Sequence, residues 1–346
     1  MEQAAEVPAR AGPALGGGWV ERWWAGAGGP VASVLDAALA PVELAYRIGM
    51  RLRNHAYSRG WLEAVRLPVP VVSVGNLTVG GTGKTPVSRW LVDELRRRGR
   101  APAVLHGGYA PDEPALHRAW HPEIPVIEGR DRVAGARAAI LAGATALVLD
   151  DGFQHRRLVR DLDVVLVAAE RWSAAPRLLP RGPWREPPAA LRRADLVAVT
   201  RKTAAPGEAE RVAAALADYT DAAIVRLHLR ASRWSRPDSG PANGPPAGEA
   251  VAVVAIAEPE RFLTNARDAG ARITTTLAFR DHYCYDARDI ARLRQTAGGR
   301  AVVTTAKDAV KLAPLDPELD LWVLEQDVRV EAGAEVFARR LDLLVS

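Results

Sequence analysis

Cysteine and lysine are both rare in this chain. The single cysteine, Cys284, excludes an internal disulfide framework and is typical of a reducing compartment. Only four lysines occur among 346 residues, so arginine carries most of the net charge of +5. A basic balance suits phosphates, anionic lipid or nucleic acid. Because no aromatic stacking set and no paired Cys/His ligands accompany the charge, we expect no nucleic-acid partner.

Long uninterrupted apolar runs are also missing from the N-terminal part of the chain. Residues 1–18 are rich in Ala and Gly and lack the pattern of an export signal, so we predict a disordered tail. Residues 19–65 form an amphipathic segment in which Asp36 and Glu43 interrupt the apolar face. A helix that crosses a bilayer needs about 20 uninterrupted apolar residues, so this segment is not expected to span one.

Two interpretations of residues 19–65 stay open. The helix has tryptophans before it and arginines after it, which is typical of a helix in the membrane interface on the cytoplasmic side. Alternatively, its apolar face packs on the protein's own core. The residues involved are Trp19, Trp23, Trp24, the apolar set Val31, Val34, Leu35, Ala38, Leu39, Val42 and Tyr46, and the basic set Arg47, Arg51, Arg53 and Arg59.

A glycine-rich segment directly after the apolar run Val69–Val74 has the pattern of a phosphate-binding loop. Its eight residues are Thr78, Val79, Gly80, Gly81, Thr82, Gly83, Lys84 and Thr85. In such a loop, backbone N–H groups surround a polyphosphate, the lysine reaches the terminal phosphates and the threonine hydroxyl ligates Mg²⁺. A helix is predicted to follow as far as Arg97, with Pro86 in its first turn. The order of strand, loop and helix predicts a nucleotide site.

The rest of the chain alternates predicted strands and helices, which implies a mostly parallel sheet with flanking helices. With 48% hydrophobic and 25% charged residues, the chain is an ordinary folded protein, and its length favours two domains. We predict a P-loop NTPase-like α/β domain over residues 66–234 and a smaller α/β domain over 250–346. Residues 235–249 are dense in Pro and Gly and are predicted to form a linker or loop.

Two neighbouring carboxylates, Asp150 and Asp151, follow the predicted strand Ala146–Leu149. An apolar strand that ends in carboxylates is how a phosphate-loop protein holds the magnesium ion that the loop threonine also ligates. Because neighbouring strand residues point to opposite faces, at most one of the two is expected to contact the metal. No Asn-Lys-x-Asp or Thr-Lys-x-Asp sequence is present, so ATP is favoured over GTP.

The two motifs together resemble the tetraacyldisaccharide 4'-kinase family, the lipid A 4'-kinases of Gram-negative bacteria. The resemblance rests on the ordered segments Gly75–Pro86, Gly129–Arg132, Asp150–Arg156, Leu178–Glu186, Phe279–His282 and Thr304–Val310. Threonine in place of the first loop glycine, as at Thr78, is typical of that family. The similarity extends from about Arg66 to Leu312 and therefore covers both predicted domains.

The resemblance implies an ATP- and Mg²⁺-dependent kinase that phosphorylates the 4'-hydroxyl of a tetraacylated glucosamine disaccharide 1-phosphate. It places the protein, as a peripheral or monotopic monomer, on the cytoplasmic side of the bacterial inner membrane, where the acyl chains of the substrate lie. It also implies that Asp112 and His282 activate the sugar hydroxyl, with Lys84 and Arg185 acting on the phosphoryl group. The residues expected to contact the substrate are Asn76, Tyr109, Gln154, His155 and Arg185.

Four departures from the family pattern are visible, and two other functions stay open. His106-Gly107-Gly108-Tyr109 replaces Ser-Arg-Gly-Tyr, and the segment from Tyr109 to Asp112 is short. Pro111 replaces the glycine expected before Asp112, and Ala306 replaces a glutamate of Thr-Glu-Lys-Asp. These changes affect how far Asp112 can reach and how well its loop is ordered. The other functions are a phosphate-loop switch or chaperone that hydrolyses nucleotide, and an inactive relative that binds lipid or nucleotide. Neither explains all of the ordered matches and the expected chemistry together.

Overall fold

The chain folds into two compact units. A computed structural model describes residues 18–24, 29–108, 112–173 and 176–345, so most of the predicted tail 1–18 lies outside the described residues. The larger unit contains residues 34–232 and 326–346, and the smaller unit contains residues 233–325 with the first 33 residues of the chain. These bounds differ from the predicted domains 66–234 and 250–346, because the C-terminal helix packs with the larger unit.

The predicted alternation of strands and helices is present throughout the described chain. The α-helices are α1 (Gly18–Trp24), α2 (Gly29–Ser58), α3 (Lys84–Arg97), α4 (Asp112–Trp120), α5 (Arg132–Leu141), α6 (Pro206–Leu216), α7 (Pro259–Asp268), α8 (Ala287–Ala297), α9 (Ala306–Leu312) and α10 (Ala334–Val345). The strands are β1 (Val71–Asn76), β2 (Pro102–His106), β3 (Val126–Glu128), β4 (Ala146–Asp150), β5 (Leu162–Ala168), β6 (Leu196–Arg201), β7 (Ala223–Arg236), β8 (Gly240–Ala242), β9 (Glu249–Val254), β10 (Arg272–Ala278), β11 (Ala301–Thr304) and β12 (Leu321–Ala332).

A parallel sheet in the order β7-β6-β5-β1-β4-β2-β3 forms the centre of the larger unit. Strands β1, β2, β4 and β5 are buried along their whole length, as expected for parallel strands that helices cover on both faces. Strand β1 lies between β4 and β5, so the loop after it opens at the middle of the carboxyl edge. This is where ligands bind in open α/β sheets.

Alternate strand residues contribute to separate apolar clusters. On one side, Val72 and Val74 pack with Leu91 of α3 and with Phe337 and Leu341 of α10. Different residues of the same strands, including Val71 and Leu147, pack in a cluster that contains Val133, Ala136 and Ala139 of α5. The period of two along each strand therefore sends consecutive side chains to opposite helical layers.

The smaller unit contains parallel strands in the order β10-β9-β11-β12. Its core includes Val251 and Val253 of β9 together with Ile290 and Leu293 of α8. The predicted linker 235–249 includes a β-hairpin, since β8 pairs antiparallel with the end of β7 from Trp234↔Ala242 to Arg236↔Gly240. The Pro and Gly of this segment therefore form turns around a short strand. The predicted smaller α/β fold is present.

Helix α2 is 30 residues long, which corresponds to about 45 Å. One face contacts the larger unit through polar groups: Glu43 accepts from the backbone N–H of Leu178 at 2.9 Å, and Asn54 donates to Glu186 at 2.7 Å. The rest of the helix surface exposes apolar side chains: Val34, Ile48 and Leu52 lie opposite Glu43, and Val42 and Leu44 flank it. No helix in the described part of the chain combines the length and apolar character needed to cross a membrane.

Candidate functional site

The predicted phosphate loop connects β1 to α3 and begins the helix at Lys84. Gly83 precedes the helix with a φ of 91°, a left-handed conformation that glycine adopts without strain. A Cβ atom on Gly83 would also overlap the side chain of Leu229. Thr85 is buried in the first helical turn, so its position agrees with the predicted order of strand, loop and helix.

Four hydrogen bonds hold the loop from outside. The Asn76 side chain donates to the Thr82 hydroxyl at 2.8 Å, and the Thr200 hydroxyl donates to the Thr82 carbonyl at 3.0 Å. Lys202 Nζ donates to the Gly81 carbonyl at 2.9 Å, and Val79 N–H donates to the Pro183 carbonyl at 2.7 Å. The contacts at Gly81 and Thr82 use carbonyls and a hydroxyl. These side-chain contacts take up none of the N–H groups that a phosphate would need, although Thr82 N–H donates to the Gly80 carbonyl at 3.0 Å.

Lys84 and Arg185 converge on Asp151. Arg185 Nη1 lies 2.9 Å from both carboxylate oxygens of Asp151, and Lys84 Nζ lies 3.7 Å from Oδ1. Burial raises the pKa of the Asp151 carboxyl, but the charges of Lys84 and Arg185 outweigh this effect and hold the pKa below its usual range. Asp151 has a φ of 59°, so the chain has left the extended conformation there. The carboxylate is therefore ionised beside the loop lysine.

Asp150 has a different environment from its neighbour. It is the last residue of β4 and is paired in register with Val74 of β1, two residues before Asn76. Its side chain is buried, and Oδ2 lies 3.0 Å from Nε2 of His117 on α4. Among the described residues, Oδ1 has no hydrogen-bond partner. The sequence pattern predicted Asp150 as a metal ligand, but it gave no indication that His117 is its partner.

Gln154 connects β1, the strand before the phosphate loop, to Arg185 and Glu186. Its amide nitrogen donates to the Asn76 carbonyl at 2.9 Å and to Glu186 at 3.2 Å, while Arg185 Nη1 lies 3.5 Å from its Oε1. The side chain of Arg193 also binds the buried Glu186. The structure therefore brings together Asn76, Gln154 and Arg185 of the predicted substrate set. The sequence pattern includes Glu186 only as the last residue of the segment Leu178–Glu186 and predicts no contact for it.

Two other predicted substrate residues do not join this group. Tyr109 lies outside the described residues. The His155 imidazole is half-buried near Arg132 and Arg160, and burial together with these charges lowers its pKa to about 4. The imidazole is therefore neutral at physiological pH. Its predicted contact with the substrate stays a prediction.

Asp112 is the first residue of α4, and its side chain is buried. At the end of β2, His106 Nδ1 accepts from Gly108 N–H at 3.1 Å, and His106 Nε2 lies 2.8 Å from Glu113. The histidine that departs from the family pattern therefore connects the end of β2 to the first turn of α4.

His282 lies in the smaller unit, in the loop between β10 and α8. Its φ is 57° and its side chain is 42% exposed, so the imidazole is accessible to solvent. Phe279, Tyr283 and Tyr285 pack against one another on either side of it, with ring centroids 4.8–5.5 Å apart. An aromatic cluster therefore fixes the loop while leaving the histidine side chain outside the core.

The buried Asp308 anchors the same loop. Its carboxylate accepts from Ala255 N–H at 3.0 Å and from the Tyr285 hydroxyl at 3.2 Å. Lys311 Nζ lies 3.0 Å from Asp308 and also donates to the Tyr283 carbonyl at 3.1 Å. Ala306, which replaces the family glutamate, is the first residue of α9 and takes no part in these hydrogen bonds. The Thr-Ala-Lys-Asp segment thus has a structural role here.

Comparison with known proteins agrees with the geometry. The family model "Tetraacyldisaccharide-1-P 4'-kinase" matches residues 35–111 and 110–345. A tetraacyldisaccharide 4'-kinase of Halorhodospira halophila is 37% identical, with 89% of this chain and 92% of that protein covered. Another from Anaeromyxobacter dehalogenans is 39% identical, with 92% and 93% covered.

A solved structure supports the same conclusion. The crystal structure of LpxK from Aquifex aeolicus in complex with ATP has a TM-score of 0.74 and 26% sequence identity, and the match covers 90% of this chain and all of that one. The P-loop NTPase-like fold with a second, smaller α/β unit is therefore confirmed. By its family model, its curated relatives and its fold, this chain belongs to the tetraacyldisaccharide 4'-kinase family.

Proposed function

We propose that the protein transfers the γ-phosphoryl group of ATP to the 4'-hydroxyl of a tetraacylated glucosamine disaccharide 1-phosphate in lipid A biosynthesis. The observation that carries the proposal is the convergence of Lys84, Asp150 and Asp151 at the carboxyl edge of β1 and β4. Family membership supports the choice of ATP and of the lipid disaccharide. The fold and the site therefore favour phosphoryl transfer over the switch and the inactive relative.

The donors around the phosphate loop are suited to Mg²⁺ and ATP. Thr85 and Asp150 offer hydroxyl and carboxylate oxygens, the ligand type that Mg²⁺ prefers, and Asp150 Oδ1 is buried without a partner among the described residues. When bound, the ion neutralises charge on the β- and γ-phosphates. Residues 78–85 would hold the phosphates through backbone N–H groups, and Lys84 would supply positive charge to the terminal phosphate.

Arg185 and Asp151 form the acceptor side of the proposed site. Arg185 presents a planar guanidinium that can bind a phosphoryl oxygen while Asp151 holds it in place. Asn76 and Gln154 lie on the same side, since Gln154 contacts both the Asn76 carbonyl and Arg185. This arrangement suits recognition of a polar sugar phosphate next to the loop.

The base remains a separate part of the proposal. A sugar hydroxyl is a weak nucleophile, so a positioned carboxylate and imidazole are needed to accept its proton. Asp112 starts α4, and His282 lies in a loop that the aromatic cluster fixes. We assign proton removal to this pair. If the two act as a unit, the variant that lacks both loses no more activity than either single variant.

Membrane association is proposed for α2. The residues Glu43 and Asn54, which contact the larger unit, lie about half a turn around the helix from Val34 and Leu52, which are 70% and 66% exposed. One face of α2 packs on the protein, as the second interpretation predicted, and the exposed opposite face supports the proposal of a membrane-interface helix. The acyl chains of the substrate favour the cytoplasmic face of the inner membrane.

The kinase assay uses purified full-length protein in detergent with γ-labelled ATP, Mg²⁺ and the disaccharide 1-phosphate. We expect label in the disaccharide bisphosphate, and we expect Lys84→Ala to abolish transfer because it removes several kcal/mol of charge stabilisation. Label found only in free phosphate would favour the nucleotide switch, and no consumption of ATP would favour the inactive relative. An unchanged rate in Asp112→Ala would refute the assignment of the base.

Vesicle sedimentation tests the exposed face of α2. Ile48→Asp with Leu52→Asp should reduce binding to vesicles of anionic and zwitterionic phospholipid, because both charges would enter the acyl boundary. Leu141→Asp is the matched control, since Leu141 is 89% exposed and belongs to α5 rather than to α2. Equal sedimentation of the α2 variant and the control would exclude this face as the membrane contact.

A further inference from the structure

We propose that His117 is the positioning residue of the magnesium site: its imidazole holds one oxygen of Asp150 so that the other binds the Mg²⁺ of Mg²⁺–ATP, directly or through a water molecule. The inference rests on the proposed function and concerns two residues, 33 positions apart, that α4 and β4 bring together. It gives a role to a histidine that neither the phosphate loop nor the strand-end motif includes.

The contact between the two side chains is direct and excluded from solvent. His117 Nε2 lies 3.0 Å from Asp150 Oδ2, and the side chains are 1% and 0% exposed. A carboxylate can only accept, so Nε2 donates the proton of this hydrogen bond. Bonds between an N–H and a carboxylate are stronger than neutral ones, and burial makes them directional. The pair therefore fixes the rotamer of Asp150.

The second carboxylate oxygen provides the link to a ligand. Asp150 Oδ1 is buried and makes no hydrogen bond within the described part of the chain. Buried polar atoms are nearly always satisfied by protein, water or a bound ion. Asp150 ends β4 beside β1, whose chain continues into the phosphate loop, so an ion shared with ATP phosphates is the partner that fits this atom.

The neighbouring charges do not replace this contact. Asp151 binds Lys84 and Arg185, while Arg132 reaches the backbone carbonyl of Asp150 at 3.4 Å. His117 thus holds the Asp150 side chain from α4. Carboxylates that bind metals are themselves hydrogen-bonded, and removal of such a partner typically weakens metal affinity by about 10- to 100-fold.

The test compares His117→Phe with His117→Gln in the full-length protein. Phenylalanine keeps a ring beside Trp120, whose centroid lies 5.7 Å from that of His117, but it has no donor; glutamine retains an N–H group near the position of Nε2. The readout is binding of ATP measured by calorimetry, in EDTA and over a Mg²⁺ titration. Thermal unfolding checks that each variant is folded.

We expect His117→Phe to raise the Mg²⁺ concentration for half-maximal enhancement of ATP binding by about tenfold or more, with affinity in EDTA unchanged. For His117→Gln, this Mg²⁺ concentration should lie nearer to the wild-type value. In an Asp150→Asn background, His117→Phe should add little further effect, because the carboxylate it positions is already gone.

Each contrary outcome has a separate meaning. An unchanged Mg²⁺ titration in folded His117→Phe, or an equal loss in the Phe and Gln variants, would overturn the role of His117. If His117→Phe does not fold, His117→Leu takes its place under the same two criteria. If wild-type protein binds ATP with no Mg²⁺ dependence, the proposed magnesium site itself fails, and with it the inference.

Discussion

Removal of the Asp308 carboxylate should destabilise the smaller unit more than any exposed substitution there. Asp308 is completely buried and accepts hydrogen bonds from Ala255 N–H, Thr305 and Tyr285, and it also pairs with Lys311 at 3.0 Å. Asp308→Ala leaves the ammonium of Lys311 without its counter-ion and leaves the other donors without an acceptor. Breaking a buried pair in this way costs about 3–5 kcal/mol.

The matched control is Asp286→Ala in the same unit. Asp286 caps α8 by accepting from the N–H groups of Arg288 and Asp289, so its loss costs about 1 kcal/mol. The loss of stability in Asp308→Asn should fall between those of the two alanine variants, because the amide keeps one acceptor but turns a donor towards other donors. Urea unfolding followed by circular dichroism measures all three. A loss in Asp308→Ala no larger than that of Asp286→Ala would refute the reasoning.

The same substitution has a separable effect on activity. Lys311 holds the Tyr283 carbonyl and Asp308 holds the Tyr285 hydroxyl, so the pair anchors the chain directly after His282. In conditions where Asp308→Asn remains folded, kcat should fall because His282 is less well positioned. KM for ATP should change little, since the phosphate loop belongs to the larger unit. A change confined to KM for ATP would contradict this role of the anchor.

Three further predictions concern the larger unit. Lys202→Met should raise KM for ATP several-fold in the kinase assay because the Gly81 carbonyl loses its anchor, and an unchanged KM would contradict this. Because the pKa of His155 is about 4 in the folded protein and 6.5 when unfolded, stability should fall as pH drops from 6.5 towards 4; urea unfolding should show a smaller fall in His155→Gln. Arg185→Lys should lower kcat by about ten- to a hundredfold, because a charged hydrogen bond worth about 1.5–3 kcal/mol is lost. An unchanged kcat would contradict this and would mean that the lysine replaces the arginine in its contact with Asp151.

Local patterns predicted the phosphate loop and most elements around it. The helix expected up to Arg97 is α3, and the strand expected over Ala146–Leu149 is β4 with one more residue. These predictions succeeded because glycine positions, helical spacing and short apolar runs act over a few neighbouring residues. The same reasoning gave the doubly covered parallel sheet.

Strand β7 and helix α4 were missed for different reasons. In β7, Val225, Leu227 and Leu229 are buried and alternate with Arg226 and His228, so a period-two signal was present in the sequence but was overlooked. Helix α4 had no comparable signal. Its buried polar residues are stabilised by partners elsewhere in the chain, such as the strand-end carboxylate 33 positions away, which no local pattern reveals.

The paired aspartates show how tertiary contacts decide what a motif leaves open. Strand alternation predicted that at most one of Asp150 and Asp151 faces the metal, but β4 ends at Asp150 and the next residue has left the extended conformation. The two aspartates differ in their partners: Asp151 forms ion pairs with the side chains of Lys84 and Arg185, whereas Asp150 contacts His117 on α4. The proposed base therefore shares its helix with the partner of the proposed metal ligand.

The same helix also determines where Asp112 lies. Helix α4 is attached at its first turn through Glu113 and His106, and one turn later through His117 and Asp150. Both attachments lead to buried residues at the carboxyl ends of strands, β2 and β4, which are rigid compared with a loop. The position of Asp112 is then set by the helix that it begins.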